Sequence, residues 1–274
     1  PKRCGTLYEF HVMSFMRTLG TTGIEVSALG LGTVKFGRNT GVKYPTTFDL
    51  PSDDSIRKLL AQARELGINM IDTAPAYGSS EERLGQLLTN RPDWILVTKV
   101  GEEFNGTNST FDFSAQHTRF SIERSLKRLH TDYLDLVLIH SDGNDDSILH
   151  ESGCVDALRD CQQHGLVRAI GMSTKTEQGG MLAAELLDVV MLTWNLQQQD
   201  SAALARAHSL NRGVLVKKGL MSGHVQASGD TRNLVQDSMQ LIFGTPGIHS
   251  MIVGTLNPAH LRDNVGKARS VLAG

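Results

Sequence analysis

Eight short apolar runs alternate with amphipathic segments along the chain, and this alternation constrains the fold more than any other feature. The runs are continuously apolar, as expected for strands buried on both faces of a parallel sheet. The segments between them carry apolar residues at helical spacing, so the chain reads as repeated strand–helix units. The predicted strands are residues 27–33, 69–74, 95–100, 134–140, 168–174, 189–195, 213–218 and 250–255.

Helix signals fill the intervals between these runs. Ser52 opens a segment with one apolar face, and Gly67 stops it. Ser79 and Glu82 have the spacing of a capping box, while Asn257 and Pro258 are typical of an N-cap and a first helical residue. Further helices are predicted near residues 114–130, 153–165, 175–187, 201–210 and 232–243.

The 274 residues contain no composition break or linker, so the units predict a single (β/α)8 barrel. A doubly wound sheet is the rival fold, but it would need fewer strands or a domain break. Residues 17–27 precede the first strand and are predicted to form a hairpin that closes the barrel bottom. Residues 1–15 match the pattern poorly and are interpreted as a disordered or non-native segment before a domain of residues 16–274.

The composition of the chain bears on its partners, its redox environment and its need for a metal. The net charge of −2 gives no reason to expect nucleic acid or an anionic membrane as partner. Cys4, Cys154 and Cys161 form no paired framework, which favours a reducing, cytoplasmic environment. No apolar run approaches the length of a membrane span. The ten histidines lack the spacing of metal ligands, so no metal is expected.

Polar side chains stand at or near the end of seven of the eight predicted strands. In a (β/α)8 barrel the carboxyl ends of the strands converge on one mouth, where the chemistry of such enzymes takes place. The sequence therefore predicts a polar site at this mouth. Its candidate residues are Asp72, Lys99, His140, Ser173, Thr174, Asn195, Lys217, Lys218 and Thr255, with Tyr77 just beyond Asp72.

Four of these side chains make chemical sense together. A tyrosine is a poor acid at neutral pH, and an ammonium such as Lys99 beside Tyr77 is expected to lower the phenol pKa. Asp72 would pair with Lys99 and hold it in place. A neutral His140 would offer an N–H to orient a carbonyl oxygen. The result is a proton donor aimed at a C=O group.

Each of the four residues also has an ordinary structural explanation. Asp72 alone could cap a loop, Tyr77 could line a wall, and Lys99 could be a buried ion-pair partner. His140 alone could be a structural histidine with its hydrogen bonds satisfied. Their occurrence together at consecutive strand ends favours the catalytic interpretation.

Several stretches resemble the motifs of the aldo-keto reductase family. They are "IDTAPAYGSSEERLG", "ILVTKVG", "SLKRLHTDYLDLVLIHS", the start "RTLGTTGIEVSALGLGTVKFG" and the end "GTPGIHSMIVGTLNPAHLRDNV". The resemblance covers residues 16 to about 272. It implies a (β/α)8 barrel that binds NADPH without a Rossmann motif, a tetrad of Asp72, Tyr77, Lys99 and His140, and hydride delivery to an aldehyde or ketone. "LGLGTVKFG" lacks the G-x-G-x-x-G spacing of a dinucleotide fingerprint.

The resemblance also implies a set of cofactor contacts. Five positions depart from the usual pattern: Thr174 stands for asparagine, Met191 for glutamine, Lys217 for a stacking tyrosine, His260 for the arginine that pairs with the 2′-phosphate, and Gly254 for lysine. Because arginine suits bidentate phosphate pairing, its absence weakens the expectation of a strict NADPH preference and leaves NADH open. The implied contacts are Gly32, Thr33, Ser173, Thr174, Lys217, Lys218, Thr255, Asn257, His260, Asp263 and Asn264.

Loops over the mouth would select the substrate, a small carbonyl compound. The longest are 34–51, 101–116, 141–152 and 219–231, and Phe104, Phe111 and Phe113 could form a wall. The sequence does not indicate an oligomeric state.

Two other functions compete with the reductase. In an aldolase-type barrel, Lys99 would form a Schiff base, but this leaves Tyr77 and His140 unexplained. A nucleotide-binding regulatory protein of the same fold, without significant turnover, is the alternative that the intact tetrad argues against.

Overall fold

The predicted barrel is present in the computed structural model, which describes residues 14–42, 47–221 and 231–274, with side chains omitted for residues 231–233. Eight parallel strands close on themselves in the order β3-β4-β5-β8-β9-β10-β11-β12, and β12 pairs with β3. The strands are β1 (Met16–Thr18), β2 (Glu25–Ser27), β3 (Leu29–Gly32), β4 (Met70–Asp72), β5 (Ile95–Val100), β6 (Glu102–Phe104), β7 (Ser109–Phe111), β8 (Leu134–His140), β9 (Val167–Ser173), β10 (Val189–Thr193), β11 (Gly213–Lys217) and β12 (Ser250–Val253).

Helices follow the strands as expected from the apolar periodicity. Ser52 caps its helix by accepting a hydrogen bond from the Ser55 N–H, and Asn257 accepts one from the Ala259 N–H. The helices are α1 (Val34–Gly37), α2 (Asp53–Glu65), α3 (Ser80–Leu87), α4 (Ala115–Arg128), α5 (Asp145–His150), α6 (Cys154–Gln163), α7 (Glu177–Leu186), α8 (Ser201–Ser209), α9 (Thr231–Phe243) and α10 (Pro258–Leu272).

Two local predictions were wrong. Ser79 has no capping hydrogen bond, because its backbone is not extended (φ −83°, ψ 10°) as an N-cap requires. Its N–H instead donates to the carbonyl of Gly37, 3.4 Å away. The stretch 101–116, predicted as a loop, contains the antiparallel hairpin β6–β7. This hairpin stands at the carboxyl ends of the barrel strands.

Side chains inside the barrel form layers, since alternate residues of a strand point to the same face. The inner apolar cluster includes Met70, Val97, Leu138, Met191 and Leu215. Two residues further along the same strands, the inward positions become polar. These positions are Asp72, Lys99, His140, Thr193 and Lys217.

The hairpin β1–β2 closes the opposite end, as predicted. Leu19, Ile24 and Val26 are fully or almost fully buried and belong to the inner cluster. Leu19 lies against Gly213 so closely that a Cβ on that glycine would come 2.7 Å from its Cγ. The mouth is therefore the end of the barrel interior that this hairpin leaves uncovered.

Phe15, the last residue of the segment 1–15, packs against the hydrophobic core. Its carbonyl accepts a hydrogen bond from the Ala28 N–H at 2.7 Å, and the Arg269 guanidinium lies 5.0 Å from its ring centroid. The interpretation of residues 1–13 lies outside the described residues, as does most of the loop 219–231. None of the helices described is long and apolar enough to cross a membrane.

Leu19→Ala tests the closure of the barrel bottom. Removing a fully buried leucine side chain should lower the free energy of unfolding by about 2–5 kcal/mol, measured by urea denaturation. Thr21→Ala, on the exposed turn of the same hairpin, should change it by less than about 0.5 kcal/mol. Equal effects of the two substitutions would show that the hairpin does not pack into the barrel.

Candidate active site

The centre of the mouth is a buried ion pair between two neighbouring strands. Lys99 Nζ lies 2.7 Å from Asp72 Oδ1 and also donates to the Thr73 carbonyl at 2.8 Å. The Lys99 and Asp72 side chains are 2% and 5% exposed. β4 and β5 are adjacent parallel strands in which Asp72 stands opposite Val97, so Lys99 lies two residues further along β5 and its long side chain spans the offset to the carboxylate.

Tyr77 is brought over this pair by a short turn. Pro75–Tyr77 form a 3₁₀ turn two residues after the end of β4, and Gly78 then has a positive φ of 61°. A Cβ on Gly78 would come 2.1 Å from the Gly37 carbonyl oxygen, and one on Gly37 would come 2.4 Å from the Tyr77 carbonyl oxygen. The two glycines therefore let α1 pack directly on the turn and fix its position.

The environment of Tyr77 keeps its phenol protonated. Lys99 Nζ lies 4.8 Å from the ring centroid, which is the proximity expected from the sequence. The expected lowering of the Tyr77 pKa was wrong, however. Burial, then the negative charges of Asp72 and Glu102, raise that pKa well above 10, and the opposing effect of Arg38 is smaller. Tyr77 can therefore donate a proton at neutral pH but does not exist there as a phenolate.

His140 completes the group at the end of β8. Its ring meets the Tyr77 ring edge-on, with centroids 6.3 Å apart. Its Nδ1 lies 2.7 Å from Glu102 Oε2, an ion-pair distance, although the N–H direction is not that of a regular hydrogen bond. The structure thus brings together all four residues that the sequence singled out.

Glu102 is a site residue that the sequence argument missed. Burial works to raise its pKa, but His140, Ser109 and Arg38 outweigh that effect and hold it at about 2. Ser109 Oγ donates to Glu102 Oε1 at 2.6 Å, and Arg38 Nη1 lies 3.7 Å from the same oxygen. Because the turn at Gly101 interrupts the strand alternation, no pattern in the sequence indicates where Glu102 points.

Ser173 and Lys217 form a second polar group on the opposite wall. Lys217 Nζ donates to Ser173 Oγ at 2.9 Å and to the Thr174 carbonyl. Burial and the neighbouring charge of Lys218 lower the pKa of Lys217 to about 7, against opposing effects of Asp145 and Asp200. Its positive charge is therefore present below about pH 7 and lost above it.

Three other residues expected at the cofactor site differ in whether their polar groups are already bound within the protein. The Thr33 hydroxyl is buried and donates to the Asp72 carbonyl at 3.0 Å. Thr174 Oγ1 is buried without a hydrogen-bond partner, and a Cβ on Gly180 of α7 would lie 3.6 Å from it. Lys218 has a positive φ of 57°, and its carbonyl accepts from the Asn195 side chain. The hydrogen bonds of Thr33 and Lys218 therefore lie within the protein, whereas the Thr174 hydroxyl has no partner there.

Except for Gly32, the remaining residues expected to contact the cofactor lie where α10 begins. Asn257 caps the helix, and its N–H donates to Thr255 Oγ1 at 3.0 Å. His260 is exposed, Asn264 is buried, and Asp263 pairs with Lys267. Gly32 ends β3 beside β12, where a Cβ would come 2.9 Å from Ile252. Most N–H groups at this helix start are already used, because Pro258 has none and those of Asn257 and Ala259 are bound by Thr255 Oγ1 and Asn257 Oδ1.

In the ranges 14–42, 47–221 and 231–274, no three His, Cys, Asp or Glu side chains are grouped so that they could hold a metal ion.

Comparison with known proteins decides the family. The sequence model of the Aldo/keto reductase family matches residues 28–240. This chain belongs to the aldo/keto reductase family. The family and the enzyme class predicted from the motifs, a nicotinamide-dependent oxidoreductase, are confirmed by the match and by the relatives.

Relatives of this aldo/keto reductase carry different names. L-galactose dehydrogenase of Arabidopsis thaliana is 37% identical over 58% of this chain, and the match spans only 48% of that protein. NADH-specific methylglyoxal reductase of Escherichia coli is 32% identical over 56% of this chain and 50% of its own. The crystal structure of PA4992 from Pseudomonas aeruginosa, provisionally described as an aldo-keto reductase, superposes with a TM-score of 0.86 at 48% identity, covering 95% of this chain and 96% of its own.

Replacing one partner of the central ion pair should cost more stability than replacing both. Lys99→Met leaves the Asp72 carboxylate buried and unpaired, so the free energy of unfolding should fall by about 3–5 kcal/mol. Adding Asp72→Asn to Lys99→Met should recover part of that loss. Urea denaturation is measured for the two single variants and for the double variant. The exposed Lys127→Met serves as the control. A double variant that loses the sum of the two single effects would contradict the pairing.

Proposed function

We propose that this aldo/keto reductase is a carbonyl reductase that uses NADPH, or NADH, to convert an aldehyde or ketone to an alcohol, with Tyr77 as general acid. The observation that carries the proposal is the meeting of a protonated phenol, an imidazole and a buried Lys–Asp pair at the mouth of the barrel. A bound nicotinamide supplies the hydride, and the chain itself supplies the proton and the orientation.

The four side chains have separate tasks in this proposal. Tyr77 gives its proton to the carbonyl oxygen as negative charge develops there. Lys99 stabilises that charge as the phenolate forms, and Asp72 holds the ammonium beneath the ring. His140 orients the oxygen. Burial of Lys99 and Asp72 makes these electrostatic effects stronger than they would be in water.

The residues present suit a nicotinamide nucleotide. Since Ser173 Oγ already accepts from Lys217 Nζ, its own hydrogen is left to donate to a carboxamide oxygen. Ser173, Lys217 and Gly32 would hold the nicotinamide end, together with the chain at Thr33, Thr174 and Lys218. Thr255, Asn257, His260, Asp263 and Asn264 would hold the adenosine end near the start of α10. Where a tyrosine ring is usual, Lys217 offers an amino group that cannot stack and that attracts negative charge only below about pH 7, where it is protonated.

Cofactor choice depends on the start of α10. His260 is exposed there, and Arg262 is the neighbouring exposed cation. A histidine cannot make the bidentate contact with a phosphate that arginine makes. The relative from Escherichia coli is named for NADH. Both facts favour a modest preference between the two cofactors.

Tyr77→Phe tests the proposed acid. Removing the hydroxyl should cut turnover of a carbonyl substrate by at least roughly 10²-fold, while NADPH binding changes little. Turnover is measured by loss of nicotinamide absorbance over a panel of aldehydes, and binding by titration. Tyr133→Phe, just before the start of β8 and therefore at the other end of that strand from His140, is the matched control. Unchanged turnover in Tyr77→Phe would remove the residue from this role.

His260→Arg tests the assignment of the phosphate site. An arginine at this position should tighten NADPH binding by roughly tenfold or more, because it adds a charge-assisted pair, and should leave NADH binding unchanged. Both affinities are measured by titration of the purified protein. In the unchanged protein, an NADPH preference above roughly 10³ would show that another cation, such as Arg262, already holds the phosphate.

A further inference from the structure

A tight turn carries Glu102 from the end of β5 to the ring of His140. Gly101 has a φ of +101°. A Cβ on this residue would lie only 2.2 Å from Cε1 of the Phe113 ring. Only glycine fits both conditions. The chain therefore leaves the barrel strand at once and enters β6, and the first residue of β6, Glu102, comes to lie beside His140 at the mouth.

The contact with His140 involves one ring nitrogen. Nδ1 is a buried polar atom without a regular hydrogen bond, yet the carboxylate oxygen Oε2 lies 2.7 Å from it. Glu102 is thus the group placed to become the partner of Nδ1.

Glu102 is itself held in place. Ser109 on the paired strand of the hairpin donates to Oε1 at 2.6 Å, and Arg38 approaches the same oxygen. Arg38 also stacks on Phe104, with 3.5 Å from its guanidinium carbon to the ring centroid, and donates to the Ala76 carbonyl at 3.0 Å. These contacts link the hairpin to the turn that carries Tyr77. They also keep Glu102 ionised.

An ionised carboxylate can only accept hydrogen bonds. A nitrogen facing it must therefore carry the hydrogen, and in a neutral imidazole the other nitrogen then has none. We propose that Glu102 is a positioning residue that holds the proton of neutral His140 on Nδ1, so that Nε2 meets the substrate oxygen as a hydrogen-bond acceptor. This assignment rests on the proposed function only in naming the substrate oxygen; the tautomer itself is a property of the free protein.

The assignment changes the role expected for His140. A neutral ring with Nε2 as acceptor suits the hydroxyl of an alcohol, whereas the imidazolium would donate to a carbonyl oxygen. The charged or polar groups around the ring are Glu102, Lys99, Lys217 and Tyr77. Burial, with Lys99 and Lys217, lowers the His140 pKa below 6.5, and Glu102 opposes them. At neutral pH the site is therefore prepared for the alcohol, and acid pH favours binding of the carbonyl.

Nuclear magnetic resonance of the free protein labelled with ¹⁵N-histidine tests the tautomer directly. The His140 signals are assigned by their loss in His140→Asn. Above the His140 pKa, the wild-type ring should show its hydrogen on Nδ1 alone. Glu102→Ala should give a tautomer mixture or the Nε2–H form, and its His140 pKa should fall by about one unit or more, because a neighbouring negative charge is lost.

Two controls keep the test specific. Glu102→Gln retains the size of the side chain, and Glu103→Gln changes the next residue, which contacts Arg124 and His117 instead. Glu103→Gln should leave the His140 tautomer and pKa unchanged. A wild-type ring with its hydrogen on Nε2, or an unchanged tautomer in Glu102→Ala and Glu102→Gln, would overturn the proposal. Neither the tautomer nor the pKa measurement needs cofactor or turnover. The NMR test can therefore succeed or fail independently of the proposed reductase activity, which the Tyr77→Phe experiment tests.

The pH profile gives a second readout with 4-nitrobenzaldehyde as the reduction probe. Loss of the Glu102 charge lowers the pKa of His140 and also that of Tyr77, which Glu102 raises. Both limbs of the kcat profile should therefore move to lower pH in Glu102→Gln. If Glu102 were only a structural residue, kcat would fall at every pH and both limbs would stay in place.

Discussion

Closure of a parallel barrel is the constraint on which the rest of the structure depends. Once eight strands close, every second residue of each strand must point into one narrow interior. Apolar side chains and the β1–β2 hairpin fill the lower part, and polar groups occupy the last inward position of β4, β5, β8, β10 and β11. Asp72, Lys99 and His140 meet for that reason, although they are far apart in the sequence.

Electrostatic balance at the mouth follows from this crowding. Asp72 offsets the charge of Lys99, so the lysine does not lower the pKa of the neighbouring phenol in the free protein. Glu102 adds a further negative charge, and Arg38 offsets only part of it. The consequence is a site in which the Tyr77 phenol is protonated in the free protein at neutral pH. Such an arrangement suits a proton donor better than a base.

The sequence was sufficient for the barrel because its signals are local. Continuous apolar runs identify buried parallel strands, and a strand end fixes where Asp72 or His140 must lie. Glu102 could not be found in this way, because the turn at Gly101 breaks the two-residue period from which side-chain direction is read. The cap at Ser79 failed for a related reason: contact with Gly37 sets its backbone, and that contact depends on the tertiary fold. The pKa of Tyr77 depends on the sum of several charges brought together only in three dimensions.

The central claim is that the barrel mouth binds a nicotinamide nucleotide, and energy transfer from tryptophan tests it most directly. The chain has two tryptophans, Trp94 before β5 at the closed end and Trp194 after β10 at the mouth. Titration with NADPH should give transferred nicotinamide emission that persists in Trp94→Phe and falls strongly in Trp194→Phe. Absence of binding, or a signal that depends on Trp94 instead, would contradict a cofactor site at the mouth.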